Sequence, residues 1–425
     1  MIDQLLTFTF VVSIATFFVW SLIAVFPDRK RRRPKSYPSV SVVMPAHNEE
    51  SCIESTVRSV LSSDYPADFD VIVVNDGSTD RTADIVRGIG KGERRVRMLE
   101  TNHVGKALAV NRGAEKSTKE IIVLLDADSR LEKDALRKLI APFSNPKVGA
   151  VSGIIRVEMN NNPLVWYQEL EYVYSSMWRY IFDKLGCTYI LPGFAAFRKK
   201  ALADIGYFST DTLSEDCDVG LKMRKFGWHM EMSDAVMYTN VPQTIRGVAK
   251  QRVRWGRGTI QVLRKHSDMI LNPTFGLVGL YGLPNNIYFF VQGAIIIPIS
   301  SYQLMNGYFQ YYIFNGNYIS LGVLKYFFGW FSAFGTFEFI YNDLTGVWPM
   351  APSFYFFLAS YVIMMFYTLL AISKMVGLDL RVILAWCFFF PYYMFTVTCF
   401  IYPLLLEFNP LTRMRGHINI WEKNR

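Results

Sequence analysis

The sequence predicts an α/β domain with a mostly parallel, doubly wound sheet, joined to an all-α block of transmembrane helices. Residues 36–268 alternate short apolar strands with helical patterns, which is typical of a parallel sheet covered by helices. By contrast, the segment Met269–Ser373 contains only three charged residues, Lys325, Glu338 and Asp343. Because about a quarter of the residues in a soluble domain are charged, this segment is expected to lie in a membrane.

A further uncharged stretch, Leu5–Phe26, is long enough to cross a bilayer, whose core requires about 20 apolar residues. Asp3 precedes this stretch and the basic run Arg29–Arg33 with Lys35 follows it, which is the reverse of the order in a signal peptide. A retained helix with its basic end in the cytoplasm is therefore expected. The predicted domains are residues 1–35, a catalytic or binding domain at 36–268, and a membrane bundle at 269–425.

Four spans are expected in the C-terminal bundle, at Leu277–Ile299, Tyr318–Ile340, Ser353–Ile372 and Ile383–Leu406. This count returns the basic tail of Arg413, Arg415, Lys423 and Arg425 to the cytoplasm, as the positive-inside rule requires. It also places the loop that holds Lys374 and Arg381 outside the cell. The sequence thus predicts a multi-pass protein of the plasma membrane whose large domain is cytoplasmic.

Composition excludes several classes of protein for this chain of 425 residues. The five cysteines (Cys52, Cys187, Cys217, Cys387, Cys399) are scattered without a CxxC spacing, so neither a zinc site nor a disulfide framework is indicated. The formal net charge of +9 is concentrated after the first apolar stretch, where membrane topology explains it better than nucleic-acid binding does. With 51% hydrophobic residues, the chain has enough apolar material for a core, so disorder is excluded.

Short apolar runs separated by helical patterns define the order of elements in the central domain. Strands are predicted at Ser39–Met44, Asp70–Val74, Val96–Glu100, Ile121–Leu125 and Val148–Ser152, with helices near Cys52–Ser62, Arg81–Ile89, Gly105–Lys116 and Lys133–Phe143. In open α/β sheets, ligands bind outside the carboxyl ends of the strands. Residues with functional chemistry are therefore expected directly after each strand.

The most specific of these strand ends is Leu-Asp126-Ala-Asp128-Ser, which follows an uninterrupted apolar strand. Two carboxylates separated by one residue suit Mg²⁺ or Mn²⁺, which bind through carboxylates together with the phosphates of a substrate. Asp76 lies in the acidic turn NDGSTD, whose residues either cap the next helix or accept hydrogen bonds from a nucleotide. In NHVGKA, Lys106 stands at a helix start, where it either binds a phosphate or is solvated.

Two later motifs lie on predicted helices. Glu215, Asp216 and Asp218 open a helix in SEDCD, where they either complement the helix dipole or provide a general base for a sugar hydroxyl. The motif QRVRW, with Arg254 and Trp255, precedes the membrane block, where arginine and tryptophan are also typical of an interfacial anchor. Each motif taken alone allows both interpretations.

The ordered set PAHNEE, NDGSTD, NHVGKA, LDADS, LPGFAAFRK, SEDCD and QRVRW resembles the processive, membrane-integrated family-2 glycosyltransferases, which include cellulose, hyaluronan, chitin and poly-N-acetylglucosamine synthases. The resemblance covers roughly Ser39–Trp255 and implies a cytoplasmic domain of the GT-A type. It also implies a divalent metal, a UDP-sugar donor, a polysaccharide or lipid-linked acceptor, and the lipid bilayer as surroundings. Whether an accessory subunit takes part is left open.

The resemblance further implies a role for each matching residue. Asp216 would be the general base for inverting attack, and Asp126 and Asp128 would bind the metal. The nucleotide pocket would consist of Pro45, Ala46, Glu49, Asp76, Lys106 and Asp126. The acceptor and the diphosphate would be held by Gly193, Phe194, Glu215, Gln251, Arg254 and Trp255.

The expected activity is processive transfer from a UDP-sugar, with UDP-N-acetylglucosamine favoured, into a polysaccharide that leaves through a channel of the same protein. Aromatic residues in Tyr288–Phe290 and Tyr311–Phe314 are candidates to line that channel. One alternative is transfer of a single sugar to a membrane lipid. A second alternative is a non-catalytic exporter or sugar-binding scaffold, against which the intact set of carboxylates argues.

Overall fold

The computed structural model describes residues 2–27, 34, 36–346, 352–377 and 379–408. The strands are β1 Val40–Ala46, β2 Phe69–Asp76, β3 Val96–Thr101, β4 Ile121–Leu125, β5 Ser129–Leu131, β6 Val148–Val157, β7 Phe194–Arg198 and β8 His229–Thr239. The basic run Arg29–Arg33, Lys35 and the basic tail from Arg413 to Arg425 lie outside the described residues.

The helices surround the strands and continue into the apolar block. They are α1 Ile2–Val25, α2 Ile53–Leu61, α3 Thr82–Gly92, α4 Lys106–Lys116, α5 Ala135–Ile140, α6 Pro163–Lys184, α7 Lys199–Asp204, α8 Glu215–Lys225, α9 Ile245–Lys265, α10 Leu283–Tyr308, α11 Leu321–Phe331, α12 Phe334–Leu344, α13 Pro352–Met375, α14 Leu380–Cys387, α15 Phe389–Ile401 and α16 Pro403–Phe408.

The sheet confirms the predicted α/β class and adds an antiparallel part. Its eight strands lie in the order β3-β2-β1-β4-β7-β6-β8-β5, and β3, β2, β1 and β4 are parallel. β7 pairs antiparallel with both β4 and β6, while β6 and β8 are parallel. The five strands predicted from apolar runs are present, whereas β5, β7 and β8 were not predicted. The sheet is therefore mixed rather than mostly parallel beyond β4.

Apolar side chains on both faces of the sheet explain why its strands are continuous hydrophobic runs. Every residue of β1 and β4 is buried. One face packs against α2, α3 and α5, and the other against α4, α6 and α8. The second of these cores extends without interruption to Trp20 of α1 and Tyr367 of α13. The α/β domain and the apolar helices therefore share a core. Burial on both faces is typical of parallel strands in such a sheet.

Within the described residues, four helical segments are long and apolar enough to cross a membrane: Ile2–Val25, Val278–Ile313, Pro352–Met375 and Phe389–Glu407. Each meets the length of about 20 residues that a bilayer core requires. The second combines α10 with a π-helical turn at each end. The protein is thus a membrane protein, as the sequence predicts.

The predicted span Tyr318–Ile340 is wrong, because two helices of 11 residues each, α11 and α12, occupy this region. At 1.5 Å per residue, each is about 16 Å long, roughly half of a bilayer core. The chain breaks where the Ala333 amide donates to the Cys387 carbonyl at 2.7 Å and Gly335 packs on the backbone of Gly329. The break is thus fixed by tertiary contacts rather than by a proline.

Loss of that span moves the loop between α13 and α14 to the other side from the one predicted. Lys374 lies 3.4 Å from the Tyr180 hydroxyl on α6, so this end of α13 faces the α/β domain. At the opposite end, the Ser353 amide donates to Asp3 at 3.2 Å, which makes α1 and α13 parallel neighbours. Lys374 and Arg381 are therefore on the side of the α/β domain, not on the opposite side.

Candidate active site

Asp126 and Asp128 lie in the tight turn between β4 and β5, at the carboxyl edge of the sheet. The turn is held by the Thr56 hydroxyl, which donates to the Ala127 carbonyl at 2.8 Å. A Cβ atom on Gly193 would lie 2.3 Å from Asp126 Oδ2, so only glycine allows the LPGF segment to pass this close. The two carboxylates thereby face a shared cavity from a rigid turn.

Lys106 lies between the DxD turn and the start of α8. Its Nζ is 2.7 Å from Asp126 Oδ1 and 3.7 Å from Glu215 Oε1. Burial alone would lower the pKa of this lysine, but the charges of Asp126 and Glu215 outweigh it and raise the pKa. The lysine is therefore a fixed cation at the position where the resemblance expects phosphates.

Asp76 explains why Lys106 is held so firmly at the first turn of α4. Its buried carboxylate accepts from the amides of Val104 and Gly105 at 2.7 and 2.8 Å, and from the Thr101 hydroxyl at 2.7 Å. Gly105 has φ +91°, a left-handed conformation that favours glycine. Asp76 thus orders the loop that presents Lys106, while its predicted contact with uracil stays a prediction.

The other predicted nucleotide residues lie behind this loop. Pro45 and Ala46 end β1 and are buried, and Glu49 is 1% exposed. The Glu49 amide donates to the Thr82 hydroxyl at 2.8 Å. None of these three residues lines the cavity that contains the DxD turn. Their role in nucleotide binding stays a prediction.

Asp216 stands in the first turn of α8, directly beside Glu215. Its Oδ1 accepts from the Cys217 amide at 2.9 Å. Burial and the neighbouring charge of Glu215 raise the pKa of Asp216 to about 6, against the opposing effect of Lys106. A carboxylate with this pKa is ionised at neutral pH yet binds a proton readily, which is the property of a general base.

Helix α9 carries the QRVRW motif along the same cavity. Gln251, Arg254 and Trp255 line the cavity, with the Trp255 ring edge-on to Tyr172 at 6.2 Å between centroids. Arg252, between them, points into the protein, is 1% exposed and pairs with Glu171. Its guanidinium also lies 4.2 Å from the centre of the Trp255 ring. The helix thus fixes Trp255 by a cation–π contact from behind.

Two glycines allow α9 to approach its neighbours closely. A Cβ atom on Gly258 would lie 2.3 Å from the Ser214 hydroxyl, just before Glu215 and Asp216. A Cβ atom on Gly256 would lie 2.1 Å from the Phe400 carbonyl of α15. The helix with Trp255 is therefore wedged between the start of α8 and the membrane helices.

A single cavity of about 1570 Å³ joins these groups to the membrane block. Its lining from the α/β domain includes Lys106, Asp126, Asp128, Arg179, Gly193, Glu215, Asp216, Gln251, Arg254 and Trp255. Its lining from the apolar helices includes Trp20, Phe289, Gln292, Gln303, Trp330, Thr336, Ser353, Phe357, Ser360, Tyr367, Trp386 and Tyr393. The structure thus brings together the predicted metal, base and acceptor residues, with the exception of Phe194, which is buried in the sheet.

Among the aromatic residues expected along a channel, only Phe289 lines the cavity within the described part of the chain. The Tyr288 hydroxyl instead donates to the Thr9 carbonyl at 3.0 Å, and Phe290 stacks on Phe400. The segment Tyr311–Phe314 overlaps the π-helical turn Phe309–Ile313 after α10, and both Tyr311 and Phe314 are exposed. The cavity takes its aromatic lining mainly from α1, α6, α13 and α15.

Several lining residues were not predicted, notably Tyr172, Trp178 and Arg179 of α6. They recur at the spacing of one helical face with Glu171 and Ser175, which is a detectable signal. In the sequence this helix resembles any amphipathic helix after a strand, because its polar positions carry no motif. Only the approach of α6 to α8 identifies the face as functional.

A divalent metal fits the DxD turn as a partner of a bound diphosphate. Among the described residues, no group of three or more His, Cys, Asp or Glu side chains is placed to hold an ion without such a partner. Mg²⁺ commonly binds through one or two carboxylates and the phosphates of its substrate. Asp126 and Asp128 supply two carboxylates. Lys106 forms an ion pair with the first of them, Asp126.

Comparison with known proteins defines the class of this chain. Residues 41–206 match the family described as glycosyl transferase family 2. A poly-β-1,6-N-acetyl-D-glucosamine synthase of Staphylococcus epidermidis is 33% identical over 311 residues, which cover 69% of this chain and 70% of that protein. The chain therefore belongs to glycosyltransferase family 2, and the enzyme class predicted from its motifs, a hexosyltransferase domain of this family, is confirmed.

Other relatives and a solved structure agree with this assignment. A second Staphylococcus epidermidis synthase of the same name is 35% identical over 238 residues, and one from Staphylococcus aureus strain COL is 31% identical over 237. The match spans about half the length of these two relatives, 55% in each case. A mannosyltransferase from Pyrobaculum calidifontis, solved with GDP-mannose and Mn²⁺, superposes with a TM-score of 0.60 at 22% identity, covering 88% of this chain and 97% of that one. The predicted GT-A fold is thereby confirmed.

Proposed function

We propose that this protein is an inverting, processive glycosyltransferase that adds N-acetylglucosamine from UDP-N-acetylglucosamine to a polysaccharide and passes the product through its own membrane block. The observation that carries the proposal is the continuity of the cavity. One cavity connects Asp126, Asp128 and Asp216 with Ser353, which lies beside Asp3 at the far end of α1 and α13. A single-transfer enzyme has no need of a continuous path of this length.

The residues of the site have complementary roles in this reaction. Asp216 takes the proton of the acceptor hydroxyl as that oxygen attacks the anomeric carbon and the bond to UDP breaks. Trp255 offers an aromatic platform for the acceptor sugar, which holds the hydroxyl in line for attack. Lys106 and Arg254 both line the cavity and would face the departing diphosphate. The single base and single attack correspond to inversion.

Asp126 and Asp128 would hold Mg²⁺ or Mn²⁺ against the diphosphate. The ion supplies electrostatic stabilisation of the charge that develops on the leaving UDP. Lys106 Nζ lies 2.7 Å from Asp126 Oδ1, so the lysine stands directly beside the carboxylates that would hold the metal. From the first turn of α4 it would contact the phosphates.

The lining of the cavity favours a neutral glycan. Within the described residues, the charged members of the lining, such as Lys106, Asp216 and Arg254, come from the α/β domain. The described apolar helices contribute Ser, Thr, Gln and Asn side chains together with aromatic and aliphatic ones, and no charged one. Hydroxyls and N-acetyl groups find hydrogen-bond partners and stacking surfaces there. A polymer of uronic acid would enter a low-dielectric path without counter-charges.

The orientation that we propose places the α/β domain in the cytoplasm of a multi-pass protein in the plasma membrane. The carboxyl ends of α1 and α13 lie beside this domain, because Lys184 of α6 donates to the Ile23 carbonyl and Lys374 lies near Tyr180. The basic run that follows α1 in the sequence then remains inside. UDP-sugars are made in the cytoplasm, which is consistent with this orientation.

The proposal is tested by UDP release from the full-length protein in nanodiscs. UDP-GlcNAc, UDP-Glc, UDP-GlcA and UDP-Gal are supplied singly and in pairs with Mg²⁺ or Mn²⁺, and products are sized by gel and mass spectrometry. We expect high-mass polymer from UDP-GlcNAc alone and none from Asp216→Asn. A requirement for two donors, or a single-sugar product that forms only on added lipid, would contradict the proposal.

Processivity is tested in the same preparation by a change in the ratio of donor to enzyme. A processive enzyme gives long chains at the earliest times, even when most chains have not started. We expect the product length to be independent of enzyme concentration at fixed donor. A stepwise lengthening of all chains together would show a distributive transferase.

A further inference from the structure

Arg179 of α6 is a buried cation that the reaction described above does not use. Its side chain is 2% exposed. Nη1 donates to the Gly153 carbonyl of β6 at 2.8 Å, and Nη2 donates to the Ser176 hydroxyl at 3.1 Å. Nε has no hydrogen-bond partner among the described residues. A guanidinium has five N–H donors, so its capacity is largely unused.

Two other arginines, the buried Arg252 and the half-buried Arg224, have an Nε that donates a hydrogen bond, unlike that of Arg179. Arg252, which is 1% exposed, forms a bidentate pair with Glu171. Arg224 donates through both Nε and Nη2 to the Thr188 carbonyl at 3.0 and 2.8 Å. Within the described part of the chain, Arg179 has no carboxylate within ion-pair distance, so its charge is not neutralised by a contact. Burial of such a charge is costly, and burial lowers the pKa of Arg179 to about 10.

The position of Arg179 shows what could compensate for that cost. It lines the same cavity as Asp216, Trp178 and Gly193. The charge of Asp216 acts on Arg179 and favours its protonated form, although the two groups are further apart than an ion pair. A cationic donor and an anionic acceptor therefore border the cavity with a gap between them. A hydroxyl group is both a donor and an acceptor, so it can bridge such a gap.

The chemistry of an acceptor sugar matches this pair of groups. The attacking hydroxyl gives its proton to a carboxylate and has a lone pair left to accept a hydrogen bond. The neighbouring amide carbonyl of an N-acetyl sugar is an acceptor only, which a carboxylate cannot bind but a guanidinium can. Both oxygens lie on the terminal sugar that must stand beside Asp216. The other charged groups near Asp216, namely Glu215, Lys106 and Arg254, lie toward the DxD turn or on α9.

We propose that Arg179 is an acceptor-binding residue, whose guanidinium donates a hydrogen bond to an oxygen of the terminal acceptor sugar and holds its hydroxyl toward Asp216. This inference rests on the proposed function, because it presumes that a sugar acceptor enters the cavity. It assigns to α6 a share in recognition that no motif of the sequence indicates. Donor binding, by contrast, belongs to the DxD turn and α4, and is independent of Arg179.

The test compares Arg179→Met and Arg179→Lys with Arg224→Met, a control that removes a half-buried arginine outside the cavity lining. All variants are measured as full-length protein in nanodiscs. Three quantities are compared: UDP affinity with Mn²⁺, UDP release by hydrolysis of UDP-GlcNAc, and extension of an added N-acetylglucosamine oligomer. The melting temperature of each variant is recorded as a measure of folding.

For Arg179→Met we expect the KM for the oligomer to rise by about ten- to a hundredfold, the range for one charged hydrogen bond. UDP affinity and donor hydrolysis should stay within about twofold of wild type, and Arg179→Lys should restore part of the extension. Arg224→Met should lower the melting temperature without changing the ratio of extension to hydrolysis.

Two results would overturn the inference. Parallel loss of UDP affinity, hydrolysis and extension in both Arg179 variants would show that the residue only ties α6 to β6. Unchanged extension in Arg179→Met would show that the acceptor does not contact it. A wild-type protein that releases no UDP from any donor would contradict the proposed function itself, and the acceptor role with it.

Discussion

Asp216 is subject to two opposing effects, and its titration should be visible in the rate of reaction. Burial and Glu215 raise the pKa of this carboxyl to about 6, while Lys106 and Arg254 oppose the shift. Only the ionised form accepts a proton, so we expect kcat/KM for transfer to fall about tenfold per pH unit below pH 6. UDP release measured from pH 4.5 to 8 checks this. A flat profile across that range would exclude Asp216 as the base.

The same shift has a consequence for stability, with a defined sign. A carboxyl whose pKa is higher in the folded than in the unfolded state destabilises the fold when it is ionised. Asp216→Asn should therefore raise the melting temperature at pH 7.5 and have a smaller effect at pH 4. Thermal unfolding of the two proteins at both pH values measures this. An equal effect at both pH values would contradict the raised pKa.

Gly193 determines whether the DxD turn can keep its position. An alanine here would place a Cβ atom 2.3 Å from Asp126 Oδ2, so that the carboxylate or the LPGF segment must move. We expect Gly193→Ala to weaken Mn²⁺-dependent UDP binding about tenfold or more, measured by calorimetry. Gly88→Ala in α3 is the control, since its Cβ would meet no atom within 4 Å. Equal UDP affinity in both variants would contradict this role of Gly193.

At the scale of the elements, Asp218 connects α8 to the end of α9. Its buried carboxylate accepts from His266 Nε2 at 2.8 Å and lies 3.0 Å from Lys265 Nζ. Burial tends to raise the pKa of Asp218, but hydrogen bonds from His266, Ser209 and Lys265 lower it to about 2. The ionised Asp218 carboxylate therefore stabilises the folded state fully above about pH 4, and this stabilisation is lost as the pH falls toward 2.

Removal of that carboxylate should loosen both helices together. We expect Asp218→Asn to lower the free energy of unfolding at pH 7 by about 3 kcal/mol and to reduce turnover with unchanged UDP affinity. Asp211→Asn is the matched control, because Asp211 pairs with the same Lys265 at 2.7 Å but its side chain is 59% exposed. A surface pair contributes at most about 1 kcal/mol. Equal destabilisation by the two variants would contradict the connecting role of Asp218.

The elements also show which parts of the fold could be predicted. β1 and β4 were predicted correctly because uninterrupted apolar runs ending at polar turns are typical of parallel strands buried on both faces. β7, Phe194–Arg198, escaped prediction because its run continues directly into α7 without a turn residue. The break between α11 and α12 escaped prediction because it depends on the contact of Ala333 with Cys387, which is remote in the sequence.

The residues of the candidate site also divide into those that the sequence predicts and those that it does not. Asp126, Asp128, Asp216 and Trp255 were predicted because their motifs have a fixed order and spacing, and the structure gathers them in one cavity. Arg179 could not be predicted, because a helix that follows a strand often contains an arginine on its polar face. Its function depends on being buried beside α8, which is a property of the packing alone.

At the scale of the whole molecule, the cavity should be sensitive to a single obstruction far from the chemistry. Ser360 of α13 lines the cavity, whereas Val362, two residues on, is 51% exposed on the outer surface of the helices. We expect Ser360→Trp to shorten or abolish polymer while UDP affinity and donor hydrolysis are retained. Val362→Trp should leave product length unchanged. Normal polymer from Ser360→Trp, sized by gel, would contradict passage through the cavity.

The parallel pairing of α1 with α13 has a consequence for the order in which the protein becomes competent during synthesis. The α/β domain, with its DxD turn, Lys106 and Asp216, is complete once α9 has left the ribosome. The wall that α13 contributes beside α1 is made about a hundred residues later. At roughly 5–20 residues per second, the nascent chain spends several seconds with these side chains in place and the cavity open on one side. On the function that we propose, a sugar chain begun in that interval would meet lipid tails instead of Ser360 and Tyr367, and productive initiation would wait for α13.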